Sequence, residues 1–331
     1  MKNKPLVSVV IPVYNSAGTI VETLESIAAQ TYSNWEAICV DDGSADETET
    51  VINQYITKNN NPNIRFVKRE TPNKGGSVCR NIGAKAAQGE YLIFLDADDL
   101  LGKTCLEYRM RAIEMTDNQF VVFPMAAFEN DDLSNARIYS RMHVKEPLYM
   151  FLSGFGTWQV TSPIIRKSFF YQLGGFDESF PRLQDVEFHI RAIIESHGRY
   201  EIKRKANADC FYRQGGSIGV VVEKLRRTID GCRKLIALIG EYAQEGVFDD
   251  DKKLSMALLS LYCHLSMYQD KILLNDTSFK RSNPVMESNL RAYITKPAQR
   301  VIWLLERIGN NKLRLFTCRV ADKYLRTLLA R

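Results

Sequence analysis

The chain of 331 residues has no run of about 20 consecutive apolar residues, so no segment is expected to cross a membrane as a helix. Its seven cysteines (Cys39, Cys79, Cys105, Cys210, Cys232, Cys263 and Cys318) are odd in number, scattered, and never spaced as CxxC. That usage argues against a disulfide framework or a cysteine zinc site, and for reduced structural thiols in a cytoplasmic protein. The four histidines, His143, His189, His197 and His264, show no metal-ligand spacing. No repeat or low-complexity tract is present. Lys2 and Lys4 precede an apolar stretch, but it is short and broken by Pro12, and makes a better first strand than a secretory leader. With 45% hydrophobic and 25% charged residues, the composition excludes disordered and collagen-like classes. The length accommodates one large domain and a smaller one.

A diffuse basic surface is also missing. The net charge is +5, but residues 297–331 hold eight basic and two acidic residues, a net of +6, which leaves the remainder at −1. Nucleic acid is therefore not an expected partner. Between Lys312 and Leu329, apolar residues at 313, 316, 320, 324 and 328 form a helical stripe flanked by Lys312, Arg319, Lys323 and Arg326. Such a helix suits peripheral contact with the anionic inner face of a plasma membrane. It equally suits packing on protein, including a second copy in a homodimer, which is the commoner use of an amphipathic helix.

What is present is a regular alternation. Leu6 to Val13, Trp35 to Val40, Ile64 to Lys68 and Tyr91 to Leu95 read as strands, the first a continuous β-branched run suited to a parallel strand buried on both faces. Thr19 to Gln30, Thr48 to Ile56 and Gly76 to Gln88 read as helices between them, with Asp46 as a cap of the second. The spacing predicts βαβ units with ligands beyond the strand carboxyl ends. Further on, a helix over Lys103 to Met115, strands near 120–124 and 138–142, a helix from Asp185 to Ser196 and a strand over Ala208 to Arg213 are expected. Helices follow at 221–245, 251–274, 298–309 and 312–329, with a linker at 275–284.

The segment Tyr91 to Leu100, YLIFLDADDL, ends a buried strand in three carboxylates, Asp96, Asp98 and Asp99. Ionised carboxylates there are costly unless a cation shares the site. A hard divalent metal holding a diphosphate answers that need. A turn or helix cap is the rival explanation for any one of these aspartates.

Taken together, VSVVIPVYN, SIAAQTYSNWE, VDDGSADET, NKGGSVCRNIGAKAAQGEYLIFLDADD and GGFDESF before QDVEF resemble the family 2 glycosyltransferases of the GT-A fold. The likeness covers about residues 6 to 217. It implies an α/β fold, a mostly parallel central sheet flanked by helices with a C-terminal helical extension. It implies a GT-A catalytic domain over 1–217 (1–100 nucleotide-binding, 101–217 acceptor-binding) and a helical region over 218–331 with its basic amphipathic end at 297–331. It further implies a metal-dependent, inverting transfer of one sugar from a nucleotide diphosphate sugar, UDP-sugar favoured, to a glycan or lipid-linked acceptor in surface polysaccharide or glycan synthesis.

By that resemblance Asp98 ligates Mg2+ or Mn2+, Asp99 supports the metal or sugar, and Asp96 faces ribose or sugar. Asp42 reads the base, while Pro12, Tyr14 and Asn15 wall its pocket; an Asx turn begun by Asp42 is compatible with that role. Lys74, Gly75, Gly76 and Arg80 line the donor site, although Lys74 also reads as a solvated loop lysine and Arg80 as an ion-pair partner of the aspartate cluster. Asp185 is the general base, with helix capping as its structural alternative. Gln184 stands where the family usually has Glu, and Glu187 is the nearby carboxylate that could bind acceptor in its place. Trp158 and the Phe176-Asp177 turn shape the acceptor pocket, with core packing an even rival for Trp158. Arg213 and Ser217 contact the diphosphate, in a segment where Gln214 and Gly215 replace the histidine of many relatives.

Processive synthases carry QxxRW and membrane spans, and neither is present here. A sugar-nucleotide pyrophosphorylase would carry a Gly-rich basic loop after the first strand, where this chain has Val13-Tyr14-Asn15-Ser16. A catalytically impaired scaffold docking through its helical end is the non-enzyme alternative, motivated by Gln184.

Overall fold

The computed structural model describes residues 4–129, 132–215 and 222–273, together with 278, 280, 282, 285, 289–307, 319–320, 323–324 and 327. The amphipathic stripe over 312–329, the linker over 275–284 and Ser217 therefore lie wholly or mostly outside the described residues.

A seven-stranded sheet is ordered β10-β6-β9-β4-β1-β2-β3. Its strands are β1 (Val7–Val13), β2 (Trp35–Asp41), β3 (Ile64–Lys68), β4 (Tyr91–Phe94), β6 (Phe120–Val122), β9 (Pro163–Arg166) and β10 (Tyr200–Ile202). The pairs β1–β2, β1–β4, β2–β3 and β6–β10 are parallel, whereas β9 runs antiparallel to β4 and β6. Helices α1 (Ile20–Ala28), α2 (Thr48–Asn59), α3 (Gly76–Ala86) and α4 (Cys105–Glu114) follow β1, β2, β3 and the short β5 (Leu100–Leu101). The α3 helix lies against β1 and β2, an approach that Gly83 permits: a Cβ there would stand 2.3 Å from Val10 Cγ1.

A second sheet, ordered β5-β11-β7-β8, is built from β7 (Met125–Glu129), β8 (Asp132–Ile138) and β11 (Cys210–Gln214) beside β5. The strand expected at 138–142 is thus displaced, because the antiparallel partner of β7 is Asp132–Ile138 and residues 139–142 leave the sheet. Strands β5, β7, β9 and β10 have no counterpart in the expectations above.

The chain divides into two compact units. The first holds both sheets and comprises Met1–Met142, Trp158–Glu178 and Glu195–Gly216. The second comprises His143–Thr157, Ser179–Ile194 and Ser217–Arg331. The expected division at 217/218 differs from this, since α5 (Pro147–Leu152) and α7 (Gln184–Glu195) go with the helices that follow, α8 (Val222–Gln244), α9 (Asp251–Leu273) and α10 (Lys296–Arg307). The cause is packing within the second unit. Tyr149 Oη donates to Asp249 at 2.8 Å, and Lys253 pairs with Glu146 at 2.6 Å. A Cβ on Gly231 of α8 would meet the Arg182 carbonyl oxygen at 2.6 Å. Among the described residues no helix is long and apolar enough to cross a membrane.

Candidate active site

Because β1, β2 and β4 are parallel neighbours, their carboxyl ends open on the same edge of the first sheet. A cleft of about 460 Å³ lies there, lined by Pro12, Tyr14, Asn15, Asp42, Arg80, Asp96 and Asp98 among others. Three separate sequence motifs therefore meet in one place. Lys74 is exposed in the loop before Gly75 and does not line the cleft.

The first two loops are stitched together by side chains. Asn15, in the left-handed region at φ 48°, accepts the Ala45 N–H on Oδ1 at 2.8 Å, and its own N–H donates to Ser44 Oγ at 3.0 Å. Asp46 Oδ1 accepts the Thr48 N–H at 3.1 Å in the first turn of α2, and its Oδ2 accepts the Ala17 N–H at 3.1 Å. The two adjacent aspartates after β2 have distinct roles. Asp41, not Asp42, initiates the turn, taking the N–H groups of Gly43 and Ser44 and the Ser44 hydroxyl. Asp42 is thereby left to face the cleft. Its carboxylate is held by Arg69 Nε at 2.8 Å and by the Gly75 N–H at 2.9 Å. Gly75 sits at φ +113°, a conformation that a side chain would strain. Arg69 escaped the sequence reading because a cation after a strand carries no motif; only the Asp42 carboxylate opposite it gives it meaning.

The acidic turn is pinned from behind. Thr19, which caps α1, and Thr23 within it donate to the Ala97 carbonyl at 3.0 and 3.1 Å, and Thr23 also to that of Asp99 at 2.9 Å. Arg80 of α3 pairs with Asp96 at 2.6 Å, so the ion pair read as a rival to ligand contact is formed. Asp98 is the exposed carboxylate of the three. Partial loss of hydration, then the Asp96 charge, holds its carboxyl above the usual range.

Asp99 is 0% exposed and does not line the cleft. Its Oδ1 accepts the Arg213 N–H at 3.1 Å, while Oδ2 has no partner among the described residues. Burial, then Asp96, raises its pKa well above that of an ordinary carboxylate. The support of metal or sugar expected of Asp99 would therefore come from a buried position behind the turn and not from the cleft itself. Arg213 is also committed: Nε donates to the Asp98 carbonyl at 2.9 Å and Nη2 pairs with Glu22 at 2.5 Å. That binds β11 to the acidic turn and to α1. Among the described residues no three His, Cys, Asp or Glu side chains form a ready metal cage.

Two acceptor-side expectations are corrected by burial. Trp158 is 1% exposed, so its indole faces protein and offers no stacking surface. Glu187 is 2% exposed and paired one helical turn on with Arg191 of α7, so its carboxylate is spent within the second unit. Asp185 lies half-buried in the first turn of α7, after Leu183 at φ 64°. The Phe176 turn belongs to the first unit, where Asn81 of α3 brackets the Phe176 N–H and carbonyl, both at 2.9 Å.

The model of the family described as glycosyl transferase family 2 matches residues 8–178, just over half of the chain. The glycosyltransferase GlyG of Streptococcus pneumoniae serotype 4 is 34% identical over 135 residues, 40% of this chain and 42% of that one. The putative colanic acid biosynthesis glycosyl transferase WcaA of Escherichia coli K12 is 28% identical over 210 residues, 59% of this chain and 68% of that one. Several curated relatives are matched over less than half of their own length. Among solved structures, S. aureus TarS 1–349 in complex with UDP-GlcNAc is 21% identical with a TM-score of 0.57, over 97% of this chain and 90% of that one. The mannosyltransferase PcManGT from Pyrobaculum calidifontis, in complex with GDP-Man and Mn2+, is 15% identical with a TM-score of 0.56, over 98% and 88%. At such identities a structural likeness speaks for the fold alone. With that fold, the cleft at its strand ends and a family match over more than half its length, the chain belongs to glycosyl transferase family 2 and adopts the GT-A fold.

Proposed function

We propose that the chain transfers a single sugar from a nucleotide diphosphate donor to an acceptor hydroxyl, with inversion, in surface polysaccharide or glycan assembly. The observation that carries this reading is the convergence of Tyr14, Asp42, Arg80, Asp96 and Asp98 on one cleft. Pro12, Tyr14, Asn15 and Asp42 would take base and ribose, and Asp96 the ribose or sugar. Gly76 brings the amino end of α3 to the same cleft, a terminus that favours anions. Recognition of uracil by the Asp42 carboxylate is the favoured case, supported by the fold neighbour solved with UDP-GlcNAc. The neighbour solved with GDP-Man keeps guanine as the competing outcome.

The residues fit a divalent cation: Asp98 is an exposed carboxylate on the cleft whose charge is disfavoured by partial desolvation and by Asp96. Mg2+ or Mn2+ would be held by Asp98, with Asp99 behind it, and would supply Lewis-acid stabilisation of the departing nucleotide diphosphate. Asp185 is assigned the acceptor's proton. As the acceptor oxygen bonds to the anomeric carbon and the bond to the diphosphate breaks, that carboxylate takes the hydroxyl hydrogen. The cytoplasm, where nucleotide sugars are supplied, with peripheral membrane contact through 312–329, completes the reading.

Calorimetry with UDP, with and without Mn2+, tests it. Mn2+-strengthened binding is expected for the unmodified chain, and Asp98→Ala should remove the Mn2+ gain and weaken binding at least tenfold. Failure of the unmodified chain to bind UDP or GDP in either condition would sink the transferase reading and favour the scaffold.

A further inference from the structure

The second sheet carries a groove that the donor cleft does not use. It encloses about 380 Å³, within the roughly 300–1,000 Å³ typical of small-molecule sites. Its lining includes Glu129, Asn135, Arg137, Ile138, Tyr139 and Gln214. Strand register explains why Glu129, Asn135, Arg137 and Gln214 share a face. Tyr212 of β11 is paired with Ala127 of β7, and Ala127 with Arg137 of β8; two residues on, Gln214 is paired with Glu129. Alternation along each strand puts Tyr212, Gln214, Ala127, Glu129, Asn135 and Arg137 on one side. The smallest of them, Ala127, stands between the long side chains of Tyr212 and Arg137 and forms the floor. The β7–β8 register shifts between Ala127 and Glu129, an irregularity in the ladder.

The chemistry of the lining is specific. Tyr139 is 45% exposed, and its ring lies 5.3 Å from that of Tyr212, giving an open aromatic wall. The same lining carries a guanidinium, a carboxylate and two carboxamides, from Arg137, Glu129, Asn135 and Gln214. These planar groups pair with vicinal hydroxyls, while an aromatic face packs on the C–H face of a pyranose. Cation and anion are both present, so no single-sign ligand is selected. The groove also adjoins the acidic turn through one strand. Arg213, next to Gln214, gives its N–H to Asp99 and its Nε–H to the Asp98 carbonyl.

We propose that this groove binds one or two neutral sugar residues of the acceptor glycan. The proposal rests on the transferase reading above and adds where the acceptor is recognised. It replaces Trp158 and Glu187 with an exposed tyrosine and a set of planar polar groups on β7, β8 and β11.

Ligand-observed saturation-transfer NMR on the full chain tests it, with octyl glycosides of glucose, galactose, mannose and their N-acetylamino forms as probes, and with UDP titrated in parallel. At least one glycoside should receive saturation. Tyr139→Ala and Arg137→Ala should each weaken that binding at least tenfold, Tyr139→Phe should retain it, and UDP affinity should stay within twofold throughout. Both substituted side chains are at the surface, and an unchanged unfolding midpoint checks the fold. The proposal is overturned if no glycoside binds while UDP does, or if Tyr139→Ala and Arg137→Ala bind glycoside as tightly as the unmodified chain. Glycoside binding without UDP binding would keep the groove and remove the donor reading instead.

Discussion

At the scale of single residues, neighbouring aspartates separate into turn support and cleft lining by what they are bonded to. Asp41 spends its oxygens on the turn, so Asp42 keeps the cleft; a sequence shows Asp-Asp-Gly-Ser and leaves that division open. The same holds for Asp98 and Asp99. Their types were legible, but which of the two is buried depends on Arg213, more than a hundred residues later. Buried charge also sets stability. Arg109 is fully buried in a two-pronged pair with Asp209, at 2.6 and 2.8 Å. Asp209→Ala leaves that guanidinium unpaired and should cost about 3–5 kcal/mol in denaturant unfolding. Glu36 gives a pH-dependent counterpart. Burial pushes its carboxyl up, but hydrogen bonds from Ser8, the Gln88 N–H and Arg65 outweigh that and hold it below the usual value. A folded pKa below the unfolded one, about 4.3, means stabilisation that is present above that pH and lost below it. Glu36→Gln should therefore destabilise by about 1–2 kcal/mol at pH 7, with the gap closing as pH falls below the unfolded value of about 4.3 and through the lowered folded one.

At the scale of elements, β1 to β4 and α1 to α4 lie within two or three residues of where the sequence pattern puts them, because β1, β2 and β4 are mostly apolar, buried runs. The misses are short. Leu100–Leu101 is two residues long, and Tyr200–Ile202 and Pro163–Arg166 are three and four. Such segments hold too few turns of pattern to differ from loop, and only their partners make them strands. Met125–Glu129 is similar: MAAFE has no alternation, since it is covered on both faces until its last residue. Close contact between α3 and the sheet yields a test. In Gly83→Ala the new methyl meets Val10 and Val40, so overpacking should cost about 1–3 kcal/mol. If instead the unfolding midpoint is unchanged, α3 has room to move off the sheet.

At the scale of the molecule, the residues assigned to the donor lie in the first unit and Asp185 lies in the second. Binding and transfer should therefore be separable by mutation. Asp185→Asn should retain the stabilisation that saturating UDP brings, about 2.7 kcal/mol at a hundredfold excess over Kd, while sugar transfer falls at least a hundredfold. Transfer at the unmodified rate would reject Asp185 as the base.

The six described cysteines, Cys39, Cys79, Cys105, Cys210, Cys232 and Cys263, are all buried. One of them, Cys79, lies on α3 and is part of the wall of the cleft at the strand ends. Burial, then the Asp42 charge, pushes its thiol up to about 12, so it is chemically quiet in the folded protein. Alkylation there needs the wall to part, which makes the thiol a built-in clock for that event. Mass spectrometry after timed exposure to iodoacetamide should show Cys79 modified more slowly when UDP is present, with Cys232 in α8 as the internal reference.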